Sequence, residues 1–161
     1  MLFRSDPNFT VNIGLIQNGR PIAGAVSSPA TGETWFTKGG QALKRVNGGP
    51  SEPVHVRAWP DGEALALVSH TMKEETVRDL MAQYGFHRRE PMDSSIKFCR
   101  IAEGAADIYP RHGPTMEWDI AAGHAVLDAA GGQVLTTDGQ PFRYGKAAEG
   151  FRNGWFVARG R

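Results

Sequence analysis

The chain has 161 residues, is 40% hydrophobic and 22% charged, and carries a net charge of +1 at pH 7. This length allows one buried core, and the small net charge excludes the strong positive field of typical nucleic-acid and anionic-membrane binders. No segment approaches the ~20 apolar residues of a membrane-spanning helix, and the single cysteine, Cys99, excludes an internal disulfide and a cysteine-pair metal site. We therefore expect a cytoplasmic protein with no nucleic-acid partner and no membrane span.

The first 50 residues predict an antiparallel meander. Apolar residues alternate over residues 9–16, which predicts a half-buried strand, and Asn18-Gly19 is a strong hairpin signal. Further strands are expected at residues 21–27, 33–37 and 42–45. The run NGGPSEP at residues 47–53 is typical of a linker. We therefore predict two domains, residues 1–50 and 51–161.

Strands and helices alternate in the second part of the chain. Helical spacing of apolar residues predicts helices at residues 71–84, 94–104 and 117–129, with a capping box formed by Thr71 and Glu74 at the first. Apolar runs predict strands at residues 65–69, 87–92, 108–109, 134–135 and 155–158. This order predicts an α/β fold in which helices cover a sheet and functional residues lie at the strand ends.

Asp119 is the acidic residue of greatest interest in this pattern. It follows a strand and a polar loop and lies in the first turn of the predicted helix 117–129. A negative charge at this position stabilises a helix through its dipole and free N–H groups, and it can equally point into a crevice. The local pattern leaves both interpretations open.

Several catalytic motifs are absent from the sequence. There is no G-x-S-x-G motif, no phosphate-binding glycine loop and no dinucleotide-binding glycine motif. The five histidines show no zinc-binding spacing. A serine hydrolase and a zinc enzyme are therefore poorly supported, whereas a phosphatase that uses Mg²⁺ needs mainly carboxylates.

The run WDIAAGHAVLDAAGG at residues 118–132 resembles the C-terminal signature of the inositol monophosphatase-like superfamily. The longer run SSIKFCRIAEGAADIYPRHGPTMEWDIAAGHAV resembles the CysQ branch, the 3'(2'),5'-bisphosphate nucleotidases. The resemblance implies the C-terminal part of an αβαβα fold, in which residues 1–50 are strands remaining from the family's N-terminal sheet lobe. It also implies Mg²⁺-dependent hydrolysis of adenosine 3',5'-bisphosphate to AMP and phosphate, in sulfur assimilation.

The resemblance implies a role for five residues. Asp119 matches a metal ligand that also contacts the substrate. The residues that match nucleotide or phosphate contacts are His70, Ser94, Lys97 and Arg111. From the residues alone, Ser94 also fits a helix cap, Lys97 and Arg111 fit solvated charges, and His70 fits a structural role. Cys99 is expected in the core rather than as a nucleophile.

The family's acidic metal motif, D-P-x-D-G-T, would fall just before residue 9. Asp6-Pro7-Asn8 lacks its second aspartate and its Gly-Thr, so we assign no metal role to Asp6. We identify no catalytic residue here and expect a truncated family member that is inactive alone. Two alternatives remain: a phosphatase of inositol or another sugar phosphate, and a non-catalytic fragment. Such a fragment would bind nucleotide weakly or self-associate through the surface left by the absent lobe.

Overall fold

The computed structural model describes residues 9–161, and Asp6 lies outside them. A first sheet of five antiparallel strands follows chain order: β1 (Val11–Gln17), β2 (Arg20–Ser28), β3 (Glu33–Lys38), β4 (Gln41–Val46) and β5 (Ser51–Pro53). The predicted meander is confirmed, and its first turn has Asn18 and Gly19 at positive φ, as a two-residue hairpin requires. The predicted linker contains β5, which pairs with β4.

A second sheet, also of five strands, is built from the rest of the chain. Its order is β10 (Gln133–Thr136), β12 (Phe156–Arg159), β8 (Ile108–Arg111), β6 (Leu65–Val68) and β7 (Arg88–Pro91). Strands β7 and β8 both run parallel to β6. Strand β12 pairs antiparallel with β8, and β10 pairs antiparallel with β12. The carboxyl ends of β6, β7 and β8 therefore meet at one edge of the sheet.

Three helices separate and cover the sheets: α1 (Glu74–Tyr84), α2 (Ile96–Ala102) and α3 (Glu117–Ala129). Helices α2 and α3 lie between the two sheets and share one apolar core with both. Helix α1 packs on the opposite face of the second sheet through Val77 and Leu80. The α/β layering predicted from the sequence is confirmed. The division at residue 50 stays a prediction.

Three glycines let α3 lie close to its neighbours. A Cβ on Gly24 of β2 would come within 2.4 Å of the Ala122 carbonyl oxygen, and one on Gly14 of β1 within 2.9 Å of the Ala122 nitrogen. A Cβ on Gly123 would come within 2.6 Å of the Phe98 ring of α2. Because the glycine face of the first sheet lies against α3, the apolar side chains that alternate with Gly14 lie on the other face.

That outer face differs from the prediction of a half-buried strand. Ile13 is 71% exposed and Leu15 is 56% exposed, because no described element covers this side of the first sheet. No helix among residues 9–161 is long and apolar enough to cross a membrane. A short ribbon of β9 (Thr115–Met116) with β11 (Arg152–Asn153) was not predicted, because each strand has only two residues.

Candidate functional site

A polar cleft of about 610 Å³ opens at the carboxyl ends of the parallel strands. One wall is formed by the residues after β7, and a second by the last residues of β8. The first turn of α3 forms the third wall, and the start of β1 forms the fourth. The sheet topology explains this placement, because loops after parallel strands gather at one edge. Four of the predicted site residues line the cleft: Ser94, Lys97, Arg111 and Asp119.

Asp119 lies in the first turn of α3, with its side chain at the cleft. Its Oδ2 accepts a hydrogen bond of 2.8 Å from the Met116 backbone N–H. This contact stabilises the helix start. The same exposed carboxylate lines the cleft, so the structural and functional interpretations of Asp119 are compatible rather than exclusive.

Ser94 is not the N-cap of α2, because it lies one residue before the cap position. It has a φ of 69°, and the residue that precedes α2 is Ser95. The Ser94 hydroxyl hydrogen-bonds the Thr10 hydroxyl at 2.7 Å. Ser95 donates to Asn12 Oδ1 at 2.6 Å. These bonds hold the loop after β7 against the start of β1, so the first sheet helps to shape the cleft.

Lys97 is buried rather than solvated. Its side chain donates hydrogen bonds to the carbonyl oxygens of Met92 (3.0 Å) and Ser94 (2.9 Å), and Nζ lies 4.6 Å from the centre of the Tyr109 ring. Burial raises the pKa of Tyr109 to about 12, so the phenol stays protonated beside this ammonium group. Lys97 therefore holds the Ser94 loop in place and contributes positive charge to the cleft floor.

Arg111 is the last residue of β8, a strand that continues two residues beyond the predicted end. Its Nη2 donates a hydrogen bond of 3.1 Å to the Pro114 carbonyl oxygen, and Nε has no hydrogen-bond partner within residues 9–161. A guanidinium fixed at a cleft wall in this way is suited to recognising phosphate oxygens.

Of the five predicted site residues, His70 is the one that does not line the cleft. Its side chain is 51% exposed, and Nδ1 lies 3.0 Å from Oδ2 of Asp93, which does line the cleft. Burial alone would raise the pKa of Asp93, but the hydrogen bond from Ser69 and the charges of Lys97 and His70 outweigh it and lower that pKa. His70 therefore lies at the rim, tied to the site through Asp93.

Sequence reasoning missed three residues that line the cleft: Asp93, Asn12 of β1, and Thr10, which directly precedes β1. The alternation over residues 9–16 contained the signal, because Thr10 and Asn12 lie opposite the apolar residues of that run. Trp118, which precedes Asp119, is 60% exposed, and its ring contacts that of Phe151. Cys99 is buried as expected, and burial raises the pKa of its thiol well above the ordinary value.

The described residues provide the cleft with one candidate metal ligand and not with a complete metal site. Among residues 9–161, no three His, Cys, Asp or Glu side chains lie close enough together to hold an ion. Asp119 is a carboxylate at the cleft, and Asp93 is engaged by Ser69 and His70. Mg²⁺ is usually bound through one or two carboxylates together with water and substrate phosphate. Asp119 is suited to be one such ligand.

Comparisons with known proteins agree with this architecture. The chain is 41% identical over 137 residues to the 3'(2'),5'-bisphosphate nucleotidase CysQ of Escherichia coli K12. The matched region covers 84% of this chain and 54% of that protein. It is 37% identical to CysQ of Buchnera aphidicola over 157 residues, covering 96% of this chain and 58% of that protein. The chain thus spans about half the length of these curated relatives.

A solved structure of CysQ from Bacteroides thetaiotaomicron, a bacterial member of the inositol monophosphatase family, superposes with a TM-score of 0.81. The two are 36% identical, and the match covers 96% of this chain and 63% of that one. The sequence profile of the inositol monophosphatase family matches residues 3–156. The fold, the site and these similarities lead to one conclusion: the chain belongs to the inositol monophosphatase family.

Proposed function

We propose that this protein is a phosphate monoester hydrolase of the 3'(2'),5'-bisphosphate nucleotidase type, with adenosine 3',5'-bisphosphate as substrate and AMP and phosphate as products. The observation that carries the proposal is the convergence of Ser94, Arg111 and Asp119 on one cleft, above the buried charge of Lys97. The similarity to CysQ proteins supports the choice of a nucleotide over a sugar phosphate.

In this proposal, the described residues bind and orient the nucleotide. The Arg111 guanidinium and the Ser94 hydroxyl donate to phosphate oxygens, Lys97 adds positive charge from below, and His70 contacts the nucleotide from the rim. Mg²⁺ is the proposed cofactor, with Asp119 as one ligand. When bound in such enzymes, it polarises the phosphoryl oxygens and lowers the pKa of a water molecule. We propose a cytoplasmic setting in sulfur assimilation.

The substrate proposal is tested by measuring dissociation constants for adenosine 3',5'-bisphosphate and for inositol 1-phosphate by calorimetry, at equal ionic strength and Mg²⁺ concentration. We expect the bisphosphate to bind at least tenfold more tightly, because it offers more negative charge to Lys97 and Arg111. Tighter binding of inositol 1-phosphate would instead support the alternative, a sugar-phosphate phosphatase of the same family.

We further propose that residues 1–161 alone hydrolyse little or no substrate. The reason is that residues 9–161 bring together no three side chains able to hold a metal ion, and phosphoryl transfer depends on placed metal ions. The test is phosphate release from adenosine 3',5'-bisphosphate in excess Mg²⁺, beside an Asp119→Ala variant. Turnover that this variant abolishes would contradict the proposal and would mean that the ligand set is completed, for example across a dimer.

The exposed outer face of the first sheet supports one further proposal, that a second copy of the chain covers it. Val11, Ile13 and Leu15 of β1 are each more than half exposed there. Strand β1 is also an edge strand of the described sheet, and its seven residues include no charged side chain. Light scattering should detect self-association that Ile13→Lys reduces. A monodisperse monomer that unfolds cooperatively would contradict it.

A further inference from the structure

The pairing of β6 with β7 brings an acid and a histidine together at the rim of the cleft. In the parallel register, Val68 of β6 lies opposite Pro91 of β7. His70 and Asp93 each follow two residues later, beyond the ends of these strands. A backbone hydrogen bond of 2.8 Å from Met92 to Val68 continues the pairing past the strands. The sheet therefore determines that the His70 imidazole and the Asp93 carboxylate are neighbours.

The segment that carries Asp93 is held by hydrogen bonds. Lys97 donates to the backbone carbonyl oxygens on both sides of Asp93, those of residues 92 and 94. The Ser69 hydroxyl donates a hydrogen bond of 3.2 Å to Oδ1 of Asp93. The other carboxylate oxygen, Oδ2, lies 3.0 Å from Nδ1 of His70. Asp93 thus presents one oxygen to a hydroxyl donor and the other to the imidazole.

The hydrogen bond between Asp93 and His70 has a defined direction. Burial alone would raise the pKa of Asp93, but the hydrogen bond from Ser69 and nearby positive charges outweigh it and lower that pKa, so the carboxyl group is ionised at neutral pH. An ionised carboxylate has no proton and only accepts hydrogen bonds. Nδ1 of His70 therefore carries the proton and donates to Asp93. In the neutral ring, the other nitrogen, Nε2, is then an acceptor.

Nε2 of His70 is open to a ligand. The side chain is 51% exposed, and no group within residues 9–161 forms a hydrogen bond with Nε2. An unprotonated nitrogen repels the oxygens of phosphate and of carbonyl groups and attracts an N–H or O–H donor. A ribose hydroxyl can both donate and accept, so a fixed tautomer does not select it. The exocyclic amino group of a base only donates, so a fixed tautomer distinguishes it from a carbonyl group.

We propose that Asp93 is a positioning residue that determines base specificity: it holds His70 in the Nδ1–H form, so that Nε2 accepts a hydrogen bond from the exocyclic amino group of adenine. The inference rests on the proposed function, and it adds base recognition to the phosphate contacts of Arg111 and Ser94. The base is the part of the nucleotide that extends furthest from its phosphates, and His70 lies at the rim, outside the lining of the cleft.

The tautomer is tested by nitrogen–proton NMR of the histidine side chains at pH 9, where imidazole rings are generally neutral. The His70 signal is identified by its absence in His70→Ala. We expect the Nδ1–H form in the wild-type chain and the Nε2–H form in Asp93→Asn, because the amide oxygen still accepts from Ser69 and the amide nitrogen then donates to Nδ1. The matched control, Asp61→Asn, removes the same charge at an exposed position outside the cleft and should keep the Nδ1–H form. An Nε2–H ring in the wild-type chain would overturn the inference.

Base specificity is tested by measuring dissociation constants for adenosine 3',5'-bisphosphate and inosine 3',5'-bisphosphate by calorimetry. Inosine has a carbonyl group where adenosine has the amino group. We expect the wild-type chain to bind the adenosine compound about fivefold more tightly, and Asp93→Asn to reverse this preference. The ratio of the two constants is the readout, because the lost charge of Asp93 changes the affinity of both nucleotides alike.

A double-mutant cycle shows whether Asp93 acts through His70. His70→Ala should bind the two nucleotides equally, and adding Asp93→Asn to it should leave their ratio unchanged. A ratio that Asp93→Asn still alters without His70, or equal binding of both nucleotides by the wild-type chain, would overturn the inference while leaving the proposed function standing. Failure of the wild-type chain to bind either nucleotide would overturn both.

Discussion

A cluster of charged residues connects the first sheet to α2 and provides a quantitative test of the fold. Glu33 of β3 accepts from Lys44 at 2.7 Å and from Arg100 of α2 at 2.8 Å, and its side chain is 13% exposed. Glu103 completes the cluster by accepting from Lys44 at 2.8 Å. The perturbation that we consider is Glu33→Gln, which removes the charge and keeps the shape.

The magnitude follows from the pKa of Glu33. Burial alone would raise this pKa, but the hydrogen bonds from Arg100 and Lys44 outweigh it and lower the pKa from 4.5 to about 2. One pKa unit corresponds to about 1.4 kcal/mol. The lowered pKa of Glu33 can therefore contribute at most roughly 3 kcal/mol to the free energy of unfolding. Because solvent screens part of the interaction, we expect Glu33→Gln to lower the free energy of unfolding by about 2 kcal/mol at pH 7.

The pH dependence has a definite sign. Since folding lowers the pKa of Glu33, its stabilisation is fully present above pH 4.5 and is lost as the pH falls through about 2. Urea unfolding between pH 7 and pH 2 should therefore show the two proteins converging in stability at the acidic end. The matched control is Glu52→Gln on the exposed strand β5, which should unfold like the wild type. A stability difference that stays constant across this range would mean that Arg100 and Lys44 do not lower the pKa of Glu33.

Two further predictions concern packing and a buried ion pair. Gly24→Ala should lower the free energy of unfolding by about 2 kcal/mol in urea melts, because its Cβ would meet the Ala122 carbonyl oxygen at 2.4 Å. Gly154→Ala, where a Cβ meets nothing within 4 Å, is the control. Asp107→Asn should cost about 2–3 kcal/mol in the same assay, because the buried carboxylate accepts two hydrogen bonds from Arg57 and one from the backbone of β6. Unchanged stability in either variant would contradict the corresponding contact.

Local sequence signals predicted most of the secondary structure. The Asn18-Gly19 turn needs only two residues that accept positive φ, and the helices follow from apolar spacing. The side of the first sheet that would be buried could not be predicted, because alternation defines an apolar face without showing what covers it. Gly14 and Gly24 determine the orientation, and the sequence does not show that α3 approaches them.

The site was predictable to a similar extent. The resemblance pointed to Ser94, Arg111 and Asp119, and the parallel strands bring these residues to one edge. The burial of Lys97 could not be predicted, because it depends on carbonyl oxygens that the loop after β7 presents only in the folded chain. The role of Asp93 in holding His70 was likewise invisible, since the two residues are 23 positions apart.

The most direct test of the proposed phosphate site is the affinity of Arg111→Lys for adenosine 3',5'-bisphosphate, measured by calorimetry beside the wild type. Lysine keeps the charge but loses the planar fork of donors, so we expect binding about tenfold weaker. Arg20→Lys, at an exposed position on β2, is the matched control and should bind like the wild type. Unchanged affinity in Arg111→Lys would contradict the assignment of this cleft as the phosphate site.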